Sequence, residues 1–248
     1  MKKIVFIILA LALILPAQWA SAEAPQKGGN LTLCVGDEPP GLDPTASASA
    51  AIDRVVYANI MEGLIKVDRN GQFVPGLATK WDVSPDGKGY TFHLRKGVTF
   101  HNGEPFNALV AKWNIERGAA EGSKNAHPEF FRVIEKIETP DDSTLKLILK
   151  DVDALFIVHM AEGDAVMLPM KGFENTAASP IGTGPFKFAK WTRGDSVEMV
   201  RNTQYWNPQL PYLDKVTYRF IKDASAQVAA LKAGDVDLIG WLFAPELA

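Results

Sequence analysis

The spacing of apolar side chains changes along the chain, and each change predicts an element. Leu31, Leu33 and Val35 alternate with Thr32 and Cys34, which is the pattern of a strand, with Cys34 a small buried residue on it. Prolines and glycines crowd Gly36 to Pro44, so the strand ends there. From Ile52 the period becomes helical: Ile52, Val55, Val56, Ile60, Met61 and Leu64 mark one face, and Gly63 is the expected stop. Trp81 and Val83 alternate with Asp82 and Ser84, and Tyr90, Phe92 and Leu94 alternate with Thr91, His93 and Arg95. Ser84-Pro85-Asp86-Gly87 between them has turn chemistry, so a hairpin with one buried aromatic face is expected.

Asn107 is placed to cap a helix from Ala108 to Arg117, with Val110, Trp113 and Ile115 as its inner side. Pro128 can open a short helix carrying Phe131, Ile134 and Ile137. Pro140-Asp141-Asp142-Ser143 should turn the chain into a strand from Thr144 to Leu149. Further strands are expected at Lys187–Lys190, Val197–Arg201 and Val216–Ile221. Asp223 should cap a helix through Ala233, with Val228 and Leu231 inward and Gly234 as the stop, before a strand at Val236–Ile239. Strands and helices mix throughout, which predicts an α/β chain with mixed sheets.

The start of the chain follows another plan. Lys2 and Lys3 precede an apolar run from Ile4 to Leu15, Pro16 breaks it, and Ala20-Ser21-Ala22 supplies small residues. That is the three-part layout of a secretory signal peptide, with cleavage expected between Ala22 and Glu23. The run is too short for the hydrocarbon core of a bilayer, which takes about 20 residues of helix. Residues 1–22 are therefore expected to leave, and no later segment is apolar enough to span a membrane.

Composition narrows the chemistry. The 248 residues are 47% hydrophobic and 22% charged, which fits a folded protein and excludes a disordered one. With 26 basic and 29 acidic side chains the net charge is −3, so no nucleic-acid partner is expected. The single Cys excludes an internal disulfide or a cysteine-cluster metal site. The histidines at 93, 101, 127 and 159 lie too far apart in sequence for a local metal motif, and no cofactor is expected. The chain has no G-x-S-x-G elbow, no H-E-x-x-H, no phosphate loop and no G-x-G-x-x-G. Gly182-Thr183-Gly184-Pro185 reads as a tight turn where the backbone crosses close to a neighbouring strand.

Several separated blocks resemble the family 5 extracellular solute-binding proteins of ABC importers, the oligopeptide, dipeptide and nickel group. They are Pro40-Gly41-Leu42-Asp43-Pro44, Glu62-Gly63-Leu64, the stretch from Pro75-Gly76-Leu77-Ala78 to Pro105-Phe106, Asp141-Asp142-Ser143-Thr144, Ile181-Gly182-Thr183-Gly184-Pro185-Phe186, Arg201-Asn202 with Tyr205-Trp206, and Leu231-Lys232-Ala233-Gly234-Asp235-Val236-Asp237. The resemblance runs from about residue 28 to 240. It implies a bilobal fold like that of type II periplasmic binding proteins. Members are about twice this length. Residues 23–248 are accordingly expected to hold the first lobe and a small extra domain, with the second lobe missing, as in a truncated product.

The resemblance also implies a function. The expected role is the periplasmic binding component of an ABC transporter, not an enzyme. It would capture a short peptide or related small solute by lobe closure and deliver it to an inner-membrane permease, acting as a monomer. An oligosaccharide, an opine-like compound or chelated nickel are alternative ligands, and an extracytoplasmic hydrolase is the alternative class. Gly36, Asp37, Glu38 and Pro39 are the expected ligand-binding residues. They leave the first strand at its carboxyl end, where open α/β sheets keep their crevice. An extended peptide can pair there through main-chain hydrogen bonds, and Asp37 or Glu38 could attract its ammonium group.

Overall fold

The computed structural model describes residues 25–240, so the expected cleavage point at Ala22 and Glu23 lies outside the described residues. In chain order the elements are β1 (Asn30–Val35), α1 (Ala50–Val56), β2 (Ile65–Val67), β3 (Phe73–Pro75), β4 (Ala78–Val83), β5 (Gly89–Leu94), α2 (Ala108–Ala119) and α3 (Glu129–Arg132). Then come β6 (Ile134–Asp141), β7 (Thr144–Leu149), α4 (Phe156–His159), β8 (Phe186–Thr192), β9 (Ser196–Arg201), β10 (Lys215–Phe220), α5 (Ala224–Ala233) and β11 (Leu238–Ile239).

Two main sheets result, each with its own core. One is five-stranded in the order β11-β1-β10-β9-β8. Its β1 lies parallel to both β10 and β11, while β9 runs antiparallel to its neighbours. Ile52, Val55 and Val56 of α1 pack with Val197, Met199, Val216 and Tyr218 of this sheet. The other sheet is four-stranded and antiparallel, in the order β4-β5-β7-β6. Tyr90, Phe92 and Leu94 alternate inward on β5, and Leu145, Leu147 and Leu149 do so on β7, against Val110, Ala111 and Ile115 of α2. Burying each such side chain stabilises the fold by about 1.5–3 kcal/mol.

The local signals act as their chemistry predicts. The Asn107 side chain accepts a hydrogen bond from the Val110 amide at 3.1 Å, and Asp223 accepts one from the Ala226 amide at 2.8 Å, so both helices begin on a side-chain cap. Gly87 takes a φ of 72° in the hairpin turn, and Gly234 takes 78° where α5 ends. Cys34 is fully buried on β1.

Several expectations are corrected. The helix from Ile52 stops at Val56, not at Gly63. Tyr57 is extended and Ala58 has a φ of 58°. Beyond them the backbone carbonyls are taken by other segments instead of by amides one turn on. Asn59 O accepts from the Phe186 amide, Ile60 O from Gly184, Glu62 O from Met167, Gly63 O from Leu77 and Leu64 O from Ala78, all at 2.8–3.0 Å. Ile60, Met61 and Leu64 are buried as the period implied, but on a non-helical segment.

Ile134 and Ile137 lie on β6, not on α3. A register shift between Ile134 and Lys136 puts these residues, three apart, opposite Leu149 and Leu147, which lie two apart on one face of β7. The bulge therefore imitates a helical spacing. On α5, Leu231 is exposed and Gln227 is the buried residue, its amide donating to Ile221 O at 2.6 Å. In the hairpin the buried face comes from β5: Val83 is exposed and Trp81 is only half-buried.

Gly182 and Gly184 lie directly against the segment after α1. A Cβ on Gly182 would stand 2.0 Å from Ile60 O, and one on Gly184 would stand 2.3 Å from Asn59 O. The close crossing expected for Gly182-Thr183-Gly184 is present, although its neighbour is this irregular segment and not a strand. His101 supports it. Its Nε2 contacts Gly184 O at 3.0 Å and its Nδ1 contacts the Gly182 amide at 3.3 Å. Burial holds its pKa down to about 4, so the ring is neutral, donating from Nε2 and accepting at Nδ1. Gly184→Ala should cost more than about 3 kcal/mol in urea unfolding, because the obstacle is backbone and cannot turn aside. A loss below about 1 kcal/mol would mean that the crossing tolerates a methyl group.

Candidate functional site

The loop Gly36–Pro39 leaves β1 at the carboxyl end of three parallel strands, beside the start of α5. Gly36 sits over Gln227, and a Cβ there would stand 3.6 Å from the Gln227 amide nitrogen. Asp37 is exposed and Pro39 is buried. The Glu38 carboxylate faces the β8–β9 turn, accepting from Trp191 Nε1 at 2.9 Å and from the Gly194 amide at 3.1 Å. Arg193 lies 3.3 Å from the Trp191 ring centre. Glu38 thus fastens the loop to the sheet, and Asp37 is the carboxylate of the pair left facing outward. None of the pockets of about 540, 490 and 380 Å³ is lined by these four residues.

A second constellation was not read from the sequence. Glu62 is fully buried and accepts four hydrogen bonds. Lys66 Nζ at 2.7 Å and Tyr205 OH at 2.8 Å reach Oε1; Thr183 Oγ1 at 3.0 Å and Trp206 Nε1 at 2.9 Å reach Oε2. Arg95 stacks on the Trp206 ring at 4.0 Å. Burial, and then the charge of Glu62, push the Tyr205 phenol far above its ordinary pKa. Every lone pair of this carboxylate has a donor, so its role is to join segments, with none left for a ligand. The signal was present in the sequence: Glu62, Thr183 and Tyr205-Trp206 each lie in a different block of the family pattern.

A third cluster surrounds the short turn Gly163–Ala165. His127 Nδ1 lies 2.9 Å from Asp164 Oδ2, and His159 Nδ1 lies 3.5 Å from Glu162 Oε2. Phe130 stacks between the two imidazoles, with ring centres at 4.7 and 3.6 Å. Tyr57 OH donates to Ala161 O at 2.6 Å. Burial, with the charges of Asp164 and Glu162 adding to it, pushes the Asp53 carboxyl up to about 6. Burial also raises Asp164, against the lowering effect of His127. His93 is separate, 2.7 Å from Asp82 on the hairpin. Among the described residues no group of three or more His, Cys, Asp or Glu is placed to hold a metal ion.

The model of the bacterial extracellular solute-binding proteins, family 5 Middle, matches residues 72–248. The chain belongs to this family. The glutathione-binding protein GsiB of Pectobacterium atrosepticum is 31% identical over 90% of this chain and 43% of its own length. Di/tripeptide-binding protein 1 of Pseudomonas aeruginosa is 32% identical over 88% of this chain and 46% of its own. Among solved structures, the binding protein AgaA from A. tumefaciens R10 in complex with agropinic acid superposes with a TM-score of 0.79 at 36% identity, covering 85% of this chain and 43% of that one. The periplasmic binding protein DppA of Helicobacter pylori in complex with the peptide STSA gives 0.83 at 28% identity, covering 90% and 48%. The chain therefore spans a little under half the length of these relatives. The mixed-sheet fold expected from the sequence is that of the matching part of family 5 binding proteins. No helix among the described residues is long and apolar enough to cross a membrane.

Asp53 gives the cluster at Gly163–Ala165 a measurable signature. Its carboxyl holds a proton more tightly in the folded chain than the ordinary value of 3.8 allows, so its contribution to stability is lost as pH rises from about 4 through about 6. Asp53→Asn should raise the melting temperature at pH 7.5 and flatten its pH dependence across that window. An unchanged pH profile would place Asp53 in water and contradict the packing seen here.

Proposed function

We propose that this chain forms the ligand-capturing lobe of the periplasmic binding component of an ABC importer, and that its solute is a short peptide or a close chemical relative. The observation that carries the reading is the placement of Gly36–Pro39. These residues extend β1 past its last pairing, at the carboxyl end of parallel strands, with Glu38 pinning the loop and Asp37 facing out. A peptide lying along this segment would use main-chain hydrogen bonds, which tolerate many side chains. Asp37 would attract its ammonium group. The likeness to a peptide-bound binding protein and to di/tripeptide- and glutathione-binding relatives supports this ligand class.

Binding would involve no covalent step, and selectivity would rest on differential affinity and closure against a facing lobe. The mature protein would follow cleavage between Ala22 and Glu23, act in the periplasm as a monomer, and present its closed form to a membrane permease. An opine or a nickel chelate is the second reading, favoured by the similarity to AgaA with agropinic acid and to NikZ of Campylobacter jejuni with Ni(L-His), the latter at a TM-score of 0.74 and 29% identity over 84% of this chain and 42% of that one.

Titrating the isotope-labelled chain with di- and tripeptides tests the reading. The expected result is saturable amide shifts concentrated at Gly36, Asp37 and Glu38, with the peptide recovered intact. Shifts confined to other segments, no shifts at all, or hydrolysis of the peptide would contradict it.

A further inference from the structure

A pocket of about 380 Å³ opens where α2 ends. Its walls come from the turn Pro44–Ala46, the loop after α2 and Phe173-Glu174. Arg117, in the last turn of α2, lies in the wall. Its guanidinium has no carboxylate partner among the described residues. Nη2 makes one long hydrogen bond, 3.4 Å, to Thr45 Oγ1, and the buried Nε makes none. Trp113 and Phe173 lie 5.6 and 5.9 Å away and shield it. Burial pulls its pKa down, with Asp43 opposing. Arginine cannot escape by losing its proton, so the fold holds a partly desolvated cation with a free donor.

Several of the local acceptors are already engaged, and the Asp43 carboxylate acts on Arg117 through its charge without forming an ion pair. Asp43 Oδ1 already accepts from the Thr45 amide at 2.9 Å and the Thr45 hydroxyl at 2.7 Å. The carbonyls at the end of α2 are engaged as well: Arg117 O by Ser123 Oγ at 3.0 Å, and Ala119 O and Ala120 O by Arg132, both at 3.1 Å. Lys124 lines the same pocket, is exposed, and has no ion pair among the described residues. Glu121 and Glu174 also line it and are exposed. Arg117 and Asp43 therefore stand in the wall, Lys124 at one side of the mouth, and Glu121 and Glu174 at the rim.

We propose that this pocket binds a small amino carboxylate, its carboxylate accepting from the terminal Nη groups of Arg117 and facing Lys124, its ammonium directed to Glu121 and Glu174. Charge-assisted hydrogen bonds of this kind are the stronger sort, and the aromatic wall lowers the competition from water. Gly36–Pro39 take no part in the pocket, so the inference stands apart from the peptide-binding role given to that loop.

Titration of the purified chain with L-alanine, L-alaninamide and N-acetyl-L-alanine, followed by amide shifts and by calorimetry, tests the assignment. L-alanine should bind saturably and move the Gly122, Ser123 and Lys124 amides. L-alaninamide should bind at least about tenfold more weakly, and Arg117→Gln should weaken L-alanine by a similar factor. Lys124→Gln should weaken it about two- to threefold. N-acetyl-L-alanine should bind more weakly than L-alanine. The proposal is overturned by absent L-alanine binding, by an amide or an N-acetyl derivative that binds equally well, or by unchanged affinity in Lys124→Gln, the exposed variant that decides if Arg117→Gln fails to fold. Loss of L-alanine binding in Asp37→Asn would move the ligand to the loop and overturn the pocket while sparing the loop's role. Peptide shifts missing at Gly36–Glu38, with alanine binding intact, would do the reverse.

Discussion

One buried carboxylate and the few residues around it hold the two sheets in their places. Glu62 accepts from Lys66, Thr183, Tyr205 and Trp206, while the carbonyls of Asn59 to Leu64 receive amides from β8, from the glycine turn before it, from Met167 and from the start of β4. The five-stranded sheet and the four-stranded sheet therefore lean on the same six residues. A buried charge is tolerated only when it is paired and its lone pairs are filled, and here both conditions are met. The glycines at 182 and 184 follow from the same arrangement, since a side chain on either would collide with the carbonyls that the segment presents.

This arrangement positions the surface to which a role is assigned. Phe186 begins β8 with its amide on Asn59, and Trp191 near the end of β8 and Gly194 in the turn to β9 hold Glu38. The path from the Glu62 junction to the loop after β1 therefore runs through one sheet edge. The role proposed for this loop requires it to be fixed in direction, and Glu38 supplies that fixing while Asp37 remains outward. Of the two acidic residues that the sequence offered as ammonium partners, the structure separates a fastening residue from an exposed one.

Much of the fold was legible in the sequence because its signals are local. Alternation identified β1, β5, β7 and the three strands from Phe186 to Phe220, and the caps at Asn107 and Asp223 located two helices. The failures share one cause, which is that tertiary partners override a correct burial pattern. Ile60, Met61 and Leu64 are buried at helical spacing, yet their backbone belongs to other segments. Ile134 and Ile137 mimic a helix because a bulge moves the register by one residue. Gln227 takes an inner place that alternation of apolar residues cannot announce. The Glu62 junction was present in the sequence as fragments of a family pattern. No spacing rule, however, connects residues 62, 183 and 205, because their meeting is a product of topology.

The most direct measurement is amide hydrogen exchange on Glu62→Gln beside the parent chain, with urea unfolding of both. The account predicts a loss of about 3 kcal/mol, with protection falling together at Ala78, Met167, Gly184 and Phe186, in both sheets. Protection lost only around Tyr205 and Trp206, with global stability unchanged, would show that the carboxylate serves its immediate neighbours alone and that the two sheets do not depend on it.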